Sequence, residues 1–268
     1  MFKTIHYQLD QDGIGIITLD APGSANTITD DFKQDLENCI RECSCDDNVK
    51  GMILTSAKKD FVAGGDLKEM VALFSRKMSK ADAYALARNF SPVLRQMETC
   101  GKPVVAALNG SALGGGLEIA LACHYRIVAD NEKILLGLPE VNLGLMPGAG
   151  GTQRLSRLIG IAKALPFMLE GKPVSPAKAL EMGIVHQIVP SHQLLDTAKQ
   201  WILAHGESQQ AWDKKGFTIP GGAGFADAAL GALFNMSATR IAADTSRNLP
   251  APIALLTAVA RGTCVPFD

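Results

Sequence analysis

Apolar residues recur along this chain in two rhythms that take turns. Residues 2–9 and 13–19 predict two strands around an Asp12-Gly13 turn, the second (IGIITLD) rich in β-branched side chains. Residues 29–43 change to a helical spacing, with Phe32, Leu36, Ile40 and Cys43 on one stripe and Thr29 or Asp30 placed to cap the start. Residues 50–55 (KGMILT) then read as a buried strand, 60–66 as a loop and 67–74 as a short helix. A longer helix is predicted over 80–99, with Phe90, Leu94 and Met97 as its core face near the end. Strand 103–108 opens on Pro103, a position where a missing N–H is tolerated. The pattern continues with a helix at 115–123, strands at 125–129 and 133–136, and helices at 151–159, 161–170 and 176–182. A strand at 184–189 and a helix at 192–204 close the series.

Short strands alternating with helices imply βα units, an α/β class and a largely parallel sheet. The character changes at 206–224, which is polar, punctuated by Gly and Pro, and reads as a linker or surface excursion. A helix resumes over 225–246, and the stretch from Leu249 begins as a helix and reaches Asp268 without a closing element, as a cut end would. The expected organisation is a core over 1–205 followed by a linker and helical tail over 206–268.

Composition narrows the class. A chain of 268 residues, 47% hydrophobic and 20% charged, can bury one large or two small cores. Only 6% aromatic residues against 26 glycines favours a loop-rich α/β protein over an aromatic-packed sandwich. A net charge of −1 excludes a broad nucleic-acid footprint, while leaving room for a small basic patch on a phosphorylated ligand. Six cysteines without a CxxC pair, behind an N-terminus (MFKTIHYQLD) with no apolar leader, point to reduced thiols in a cytoplasmic protein. No apolar stretch approaches the ~18 residues of a membrane span.

The glycine clusters carry the first chemical signal. No G-x-G-x-x-G, G-x-x-x-x-G-K-[ST] or G-x-S-x-G occurs, so dinucleotide, phosphate-loop and serine-elbow readings fail. Two loops remain, Ala63-Gly64-Gly65-Asp66 after strand 50–55 and Leu113-Gly114-Gly115-Gly116 after strand 103–108. If those strands are parallel neighbours, both loops emerge at one sheet edge, and two backbone N–H groups can converge on a carbonyl oxygen. Gly115 would open a helix, where free amides and the dipole favour an oxyanion. Tight turns with close helix–strand packing are the competing explanation.

Two carboxylates stand beside those glycines. Glu118 lies three residues after Gly115 in an apolar run (LEIALAC), so its side chain and the Gly115 amide can face one pocket. Glu140 follows Pro139 in a Gly/Pro-framed loop. Singly, the first could be a buried ion pair or cap and the second a surface glutamate. Together they suit addition of water across a double bond, since crowded carboxyls in a dry site separate into acid and base. The five histidines show no ligand pairing, so no metal is expected. Asp66 is either a helix cap or a ligand contact, and Lys68 either a solvated helix lysine or a phosphate contact.

Three stretches, DFVAGGDLKEM (60–70), KPVVAALNGSALGGGLEIALAC (102–123) and LGLPEVNLGLMPGAGGTQRL (136–155), resemble in order the motifs of the crotonase (enoyl-CoA hydratase/isomerase) superfamily. The resemblance runs through most of 5–205 and implies a spiral of ββα units, with a C-terminal helical segment, that binds an acyl-CoA thioester. By position it assigns the oxyanion-hole donors to Gly65 and Gly115, and the paired catalytic glutamates to Glu118 and Glu140. Ala63 and Asp66 fall where the family's loop lies against the CoA adenine end, and Gly148 joins them as a substrate-binding position. Having both glutamates favours hydration of a 2-trans-enoyl-CoA over isomerisation, thioester hydrolysis, or a non-catalytic or RNA-binding role. Met70, Leu73, Phe74 and Phe90 could shape the acyl tunnel or simply fill the core. The segments 212–222 and 250–268 resemble those after the hydratase core in multifunctional fatty-acid oxidation α-subunits, which continue into an NAD-dependent dehydrogenase. The resemblance thus implies acyl-CoA as substrate, no cofactor for this part and NAD only for an absent dehydrogenase part. As partners it leaves a homo-oligomer or the thiolase subunit of a β-oxidation complex, with no nucleic acid and no membrane insertion.

Overall fold

The computed structural model describes residues 2–224, 227–245 and 248–268, with the side chains of Leu67, Lys68 and Phe74 also outside the description. The readings of the Lys68 and Phe74 side chains therefore lie outside the described residues. The first half of the chain runs β1 (Ile5–Leu9), β2 (Ile14–Leu19), α1 (Asp30–Cys45), β3 (Gly51–Ser56), α2 (Leu67–Phe74), α3 (Lys80–Ala87), α4 (Ser91–Thr99) and β4 (Val104–Leu108). It continues through β5 (Ala112–Leu113), α5 (Gly115–Ala122), β6 (Tyr125–Ala129), β7 (Leu136–Gly137) and a 3-10 turn at Glu140–Leu143. Then follow α6 (Gly151–Ile159), α7 (Ile161–Glu170), α8 (Pro176–Met182), β8 (Gln187–Val189), α9 (Leu194–His205), α10 (Ala228–Thr245) and α11 (Pro250–Gly262).

The main sheet has the order β1-β2-β3-β4-β6-β8. β1 and β2 form an antiparallel hairpin, and every later neighbour is parallel, with Ile53 opposite Val105 and Ala106 opposite Arg126. β4 is buried along its whole length, and β3 up to Thr55, with α9 packed against both, and they read as unbroken apolar runs. A second, parallel ladder is built from very short pieces: Ile28 beside Gly65, Val62 beside Ala112, and β5 beside β7. Each turn of chain thus places one strand in the main sheet and one short segment in the second ladder, which is a spiral of ββα units.

Buried Asn26 fixes one such turn. Its side-chain oxygen accepts from the Ala21 N–H at 2.8 Å, while its amide reaches Ser56 Oγ at 2.9 Å and the Phe61 carbonyl at 3.0 Å. Its own carbonyl accepts from Ala63 N–H at 2.9 Å, so the first glycine loop is tied to the ends of β2 and β3.

Three sequence expectations are corrected. The helix expected over 80–99 is two helices, α3 and α4, because Pro92 starts a new first turn, where its lack of an N–H costs nothing. The strand expected at 133–136 shrinks to β7, and its partner β5 has only two residues, too few for any periodicity to show. The strand expected at 184–189 begins at Gln187. The polar stretch 206–224 does run mostly exposed along the surface, and it is anchored at points: Gln210, Trp212 and Ile219 are buried, and the Gln210 amide donates to the Ala122 carbonyl at 2.9 Å. Beyond it, Leu230, Phe234, Leu255 and Val259 join the same apolar cluster as the strands, with α10 against α7 and α11 against α6 and α7.

Candidate active site

The two glycine loops lie side by side in the second ladder. Leu113 N–H donates to the Val62 carbonyl at 3.1 Å, and Ile28 N–H to the Gly64 carbonyl at 3.0 Å. Ile28 also touches the other loop, since a Cβ on Gly115 would run into its Cδ1. Neither the Gly65 nor the Gly115 amide donates to an acceptor among the described residues. Gly115 is the first residue of α5, entered through Gly114 at φ +54°, a left-handed backbone that side chains resist. Gly116 packs so tightly that a Cβ would land on the Val62 carbonyl oxygen. Close packing and free amides therefore occur in the same loop.

Glu118, one turn into α5, is 2% exposed. Its Oε1 accepts from Ala149 N–H at 2.8 Å and Gly151 N–H at 2.7 Å, at the open N-terminus of α6. Oε2 points the other way, 3.9 Å from where a Cβ on Gly115 would stand. The capping role foreseen as an alternative is present, and it uses only one oxygen. Burial raises the Glu118 pKa, while the Gly151 and Ala149 amides and the Arg154 charge oppose the rise.

Glu140 opens the 3-10 turn, and its Oε1 lies 3.1 Å from a Cβ position on Gly114. Its Oε2 is buried without a hydrogen-bond partner. Burial, with the Glu118 charge adding, pushes its pKa up from 4.5 to about 8. The two acids thus abut consecutive glycines of one loop. Glu118 holds two amides; Glu140, with one oxygen unpartnered, is driven by burial and the Glu118 charge toward its neutral, proton-carrying form, against its own backbone amide.

The remaining expected positions separate. Ala63 is exposed beside Gly65, and Asp66 caps α2, its Oδ1 accepting from Glu69 N–H at 3.1 Å. Gly148 is exposed, and a Cβ there would meet nothing within 4 Å, so it borders open space in front of the α6 N-terminus. Met70 places its sulfur 3.1 Å from a Cβ position on Gly65, whereas Phe90 is a buried core residue. Arg154 and Glu98 were not foreseen. Arg154 bonds the Ala149 carbonyl at 2.7 Å and both oxygens of Glu98 at 2.6 and 3.0 Å. Its motif (GTQRL) was visible, but nothing in linear order joins residue 154 to residue 98.

No group of three or more His, Cys, Asp or Glu placed to hold a metal occurs among the described residues. No helix there is long and apolar enough to cross a membrane.

Fold and site together define a class: an α/β spiral whose two adjacent glycine loops each carry an amide without an acceptor among the described residues, with two carboxyls of unlike environment alongside. Residues 10–211 match the enoyl-CoA hydratase/isomerase family, and the chain belongs to that family. It is 41% identical over 266 residues to the fatty acid oxidation complex subunit alpha of Shewanella sp. strain MR-4, and 40% identical over 269 residues to that of Shewanella amazonensis. Those alignments take in 98% of this chain but 36% of the relatives, so the chain spans about a third of their length. Among solved structures, enoyl-CoA hydratase from Bacillus anthracis is 35% identical with a TM-score of 0.67, covering 75% of each chain. An enoyl-CoA hydratase/isomerase from Xanthobacter autotrophicus is 26% identical with a TM-score of 0.68, covering 75% of this chain and 72% of its own.

Proposed function

We propose that the chain is an enoyl-CoA hydratase, adding water to a 2-trans-enoyl-CoA to give the 3-hydroxyacyl-CoA. The observation that carries this reading is the pair of buried carboxyls against Gly114 and Gly115, beside the unpartnered Gly65 and Gly115 amides. The amides hold the thioester oxygen and draw charge from the conjugated double bond. Each such donor is worth about 3 kcal/mol in a transition state. Glu118, with its anion held by two amides, takes a proton from water as the hydroxyl adds to C3. The electron pair of the double bond passes to C2 and the thioester oxygen. Glu140, neutral, gives its proton to C2, and exchange with water resets both acids. Ala63, Asp66 and Gly148 contact the CoA portion.

The chemistry needs peptide amides, two carboxyls and water, and no cofactor. The Shewanella relatives carry the name of a fatty acid oxidation complex, which supports a place in fatty-acid β-oxidation in the cytoplasm. That name and the greater length of those relatives fit a hydratase part, 1–205, followed by a tail, 206–268, within a longer protein; the dehydrogenase part and thiolase partner are what the resemblance in sequence implies. The test is loss of the enoyl absorbance of crotonyl-CoA, with products from 2-enoyl-, 3-enoyl- and 3-hydroxyacyl-CoA identified by mass. Glu118→Gln and Glu140→Gln should each lower hydration by about 10²–10⁴ with CoA-ester binding retained. Near-wild-type turnover in both variants, or thioester hydrolysis as the main reaction, refutes the reading.

A further inference from the structure

Glu118 is oriented by a turn that is soft in itself. The amides it uses belong to Ala149 and Gly151, in a run (Gly148-Ala149-Gly150-Gly151) where three of four residues are glycine. Glycine backbones have the most freedom to lose, so this turn needs an outside constraint to present two N–H groups to one oxygen. The constraint is visible. The peptide between the two donors ends in the Ala149 carbonyl, and Arg154 Nη1 holds that carbonyl at 2.7 Å. The same guanidinium is fixed from behind by both oxygens of Glu98, on α4, with the two side chains 2% and 0% exposed.

The network continues outward to the tail. Arg95 shares Glu98 at 3.2 Å, pairs with both oxygens of Asp213 at 2.8 Å, and with both oxygens of Asp268 at 2.7 Å. The Phe267 ring lies between the guanidinium groups of Arg95, Arg154 and Arg157, 5.1 to 5.2 Å from its centre, and stacks on Trp212. An ion pair serving stability alone has no need to reach the turn that binds Glu118, and an arginine shared among a carboxylate, a carbonyl and a ring face cannot be replaced by a point charge.

We propose that Glu98 and Arg154 are positioning residues for Glu118, and that the tail residues Phe267 and Asp268 complete the device by fixing Arg154 and Arg95 from the far side. The proposal rests on reading Glu118 as the group that activates water. The charged and titratable groups around Glu118 are Arg154 on α6, Glu140 on the 3-10 turn and, through Arg154, Glu98 on α4, whose carbonyl meets His124. Among these, the Ala149 and Gly151 amides and the Arg154 charge favour the Glu118 anion.

The test compares wild type with Arg154→Lys and Phe267→Ala by crotonyl-CoA hydration and by 13C titration of the Glu118 carboxyl, assigned through Glu118→Gln. Lysine keeps the charge but cannot hold Glu98 in a fork and the Ala149 carbonyl at once. Arg154→Lys should lower kcat by about tenfold or more, with KM within about twofold, because misplacing a reacting group acts on the chemical step. Its Glu118 carboxyl should titrate at higher pH than in wild type. Phe267→Ala, at the outer end and with the ion pair intact, should move both readouts the same way by a smaller factor, and serves if Arg154→Lys does not fold. Folded variants with an unchanged Glu118 titration and unchanged kcat overturn the proposal, as does a lowered melting temperature with no change in that titration. A wild-type protein that hydrates no enoyl-CoA defeats the functional reading instead, and the carboxyl titration still decides the positioning role.

Discussion

Replacing Glu140 with glutamine should make the protein progressively more stable relative to wild type as the pH rises from 5 to 9. The carboxyl has one buried oxygen without a partner, and burial together with the Glu118 charge pushes its pKa from 4.5 to about 8. Between those two values the folded protein keeps a proton that the unfolded chain has released. The unfolded state then binds fewer protons, so unfolding free energy falls as pH rises. The contribution is fully present below pH 4.5, is lost progressively up to about pH 8, and is constant above it. Each decade in proton concentration is worth about 1.4 kcal/mol, which bounds the loss at about 5 kcal/mol.

The expected value is lower, because Glu140 is only partly buried and solvent screens part of its charge; about 2 kcal/mol is the working figure. Glutamine has the shape of the neutral acid and no proton to lose, so its stability carries no such slope. Urea unfolding of wild type and Glu140→Gln at pH 5, 7 and 9 reads the difference directly, provided both unfold in one step. Parallel curves at all three pH values, or a variant less stable at pH 9, refute the claim that this carboxyl is held neutral by burial. The experiment involves no substrate, so it tests the electrostatics of the site independently of the reaction.

Two further substitutions probe the scaffold. Gly116→Ala should destabilise the fold by about 2 kcal/mol through overpacking, because its methyl would meet the fixed Val62 carbonyl rather than a movable side chain; an unchanged melting temperature would show that the two loops are not in contact. Gln210→Ala should cost about 1 kcal/mol and speed proteolysis within 206–224, since the Ala122 carbonyl loses its buried donor; unchanged stability and cleavage would show that this hydrogen bond does not anchor the stretch.

The fold was legible wherever one residue's neighbours in sequence decide its state. Thr29 does cap α1, accepting from Phe32 N–H at 3.2 Å, and the stripe Phe32, Leu36, Ile40 and Cys43 is buried. It failed where tertiary pairing decides. β5 and β7 exist because Ala112 finds Leu136 across the second ladder, and two residues carry no period. The helix expected over 80–99 kept the correct core residues, Phe90, Leu94 and Met97, yet hid a break, because Pro92 in a first turn and Pro92 inside a helix look the same in a stripe of apolar positions.

The site divides along a similar line. Gly65, Gly115, Glu118 and Glu140 sit in stretches whose composition is strange on its face: glycines where a helix should start, and acids where the surroundings are apolar. A residue that offends its local environment is visible without a structure. Glu98 and Arg154 offend nothing. Glu98 follows Arg95 by three positions on a helix, an ordinary surface pairing, and Arg154 stands in an amphipathic helix where an arginine is expected outside. Both are buried only because α4 and α6 each turn a polar group toward the other, and neither helix encodes that orientation alone. The same holds for Phe267, whose apolar ring gives no hint of three guanidinium groups drawn from two distant helices. Sequence therefore exposes the groups proposed to meet substrate, which are locally unfavourable, and conceals the groups that hold them, which are locally unremarkable and become costly to lose only once paired.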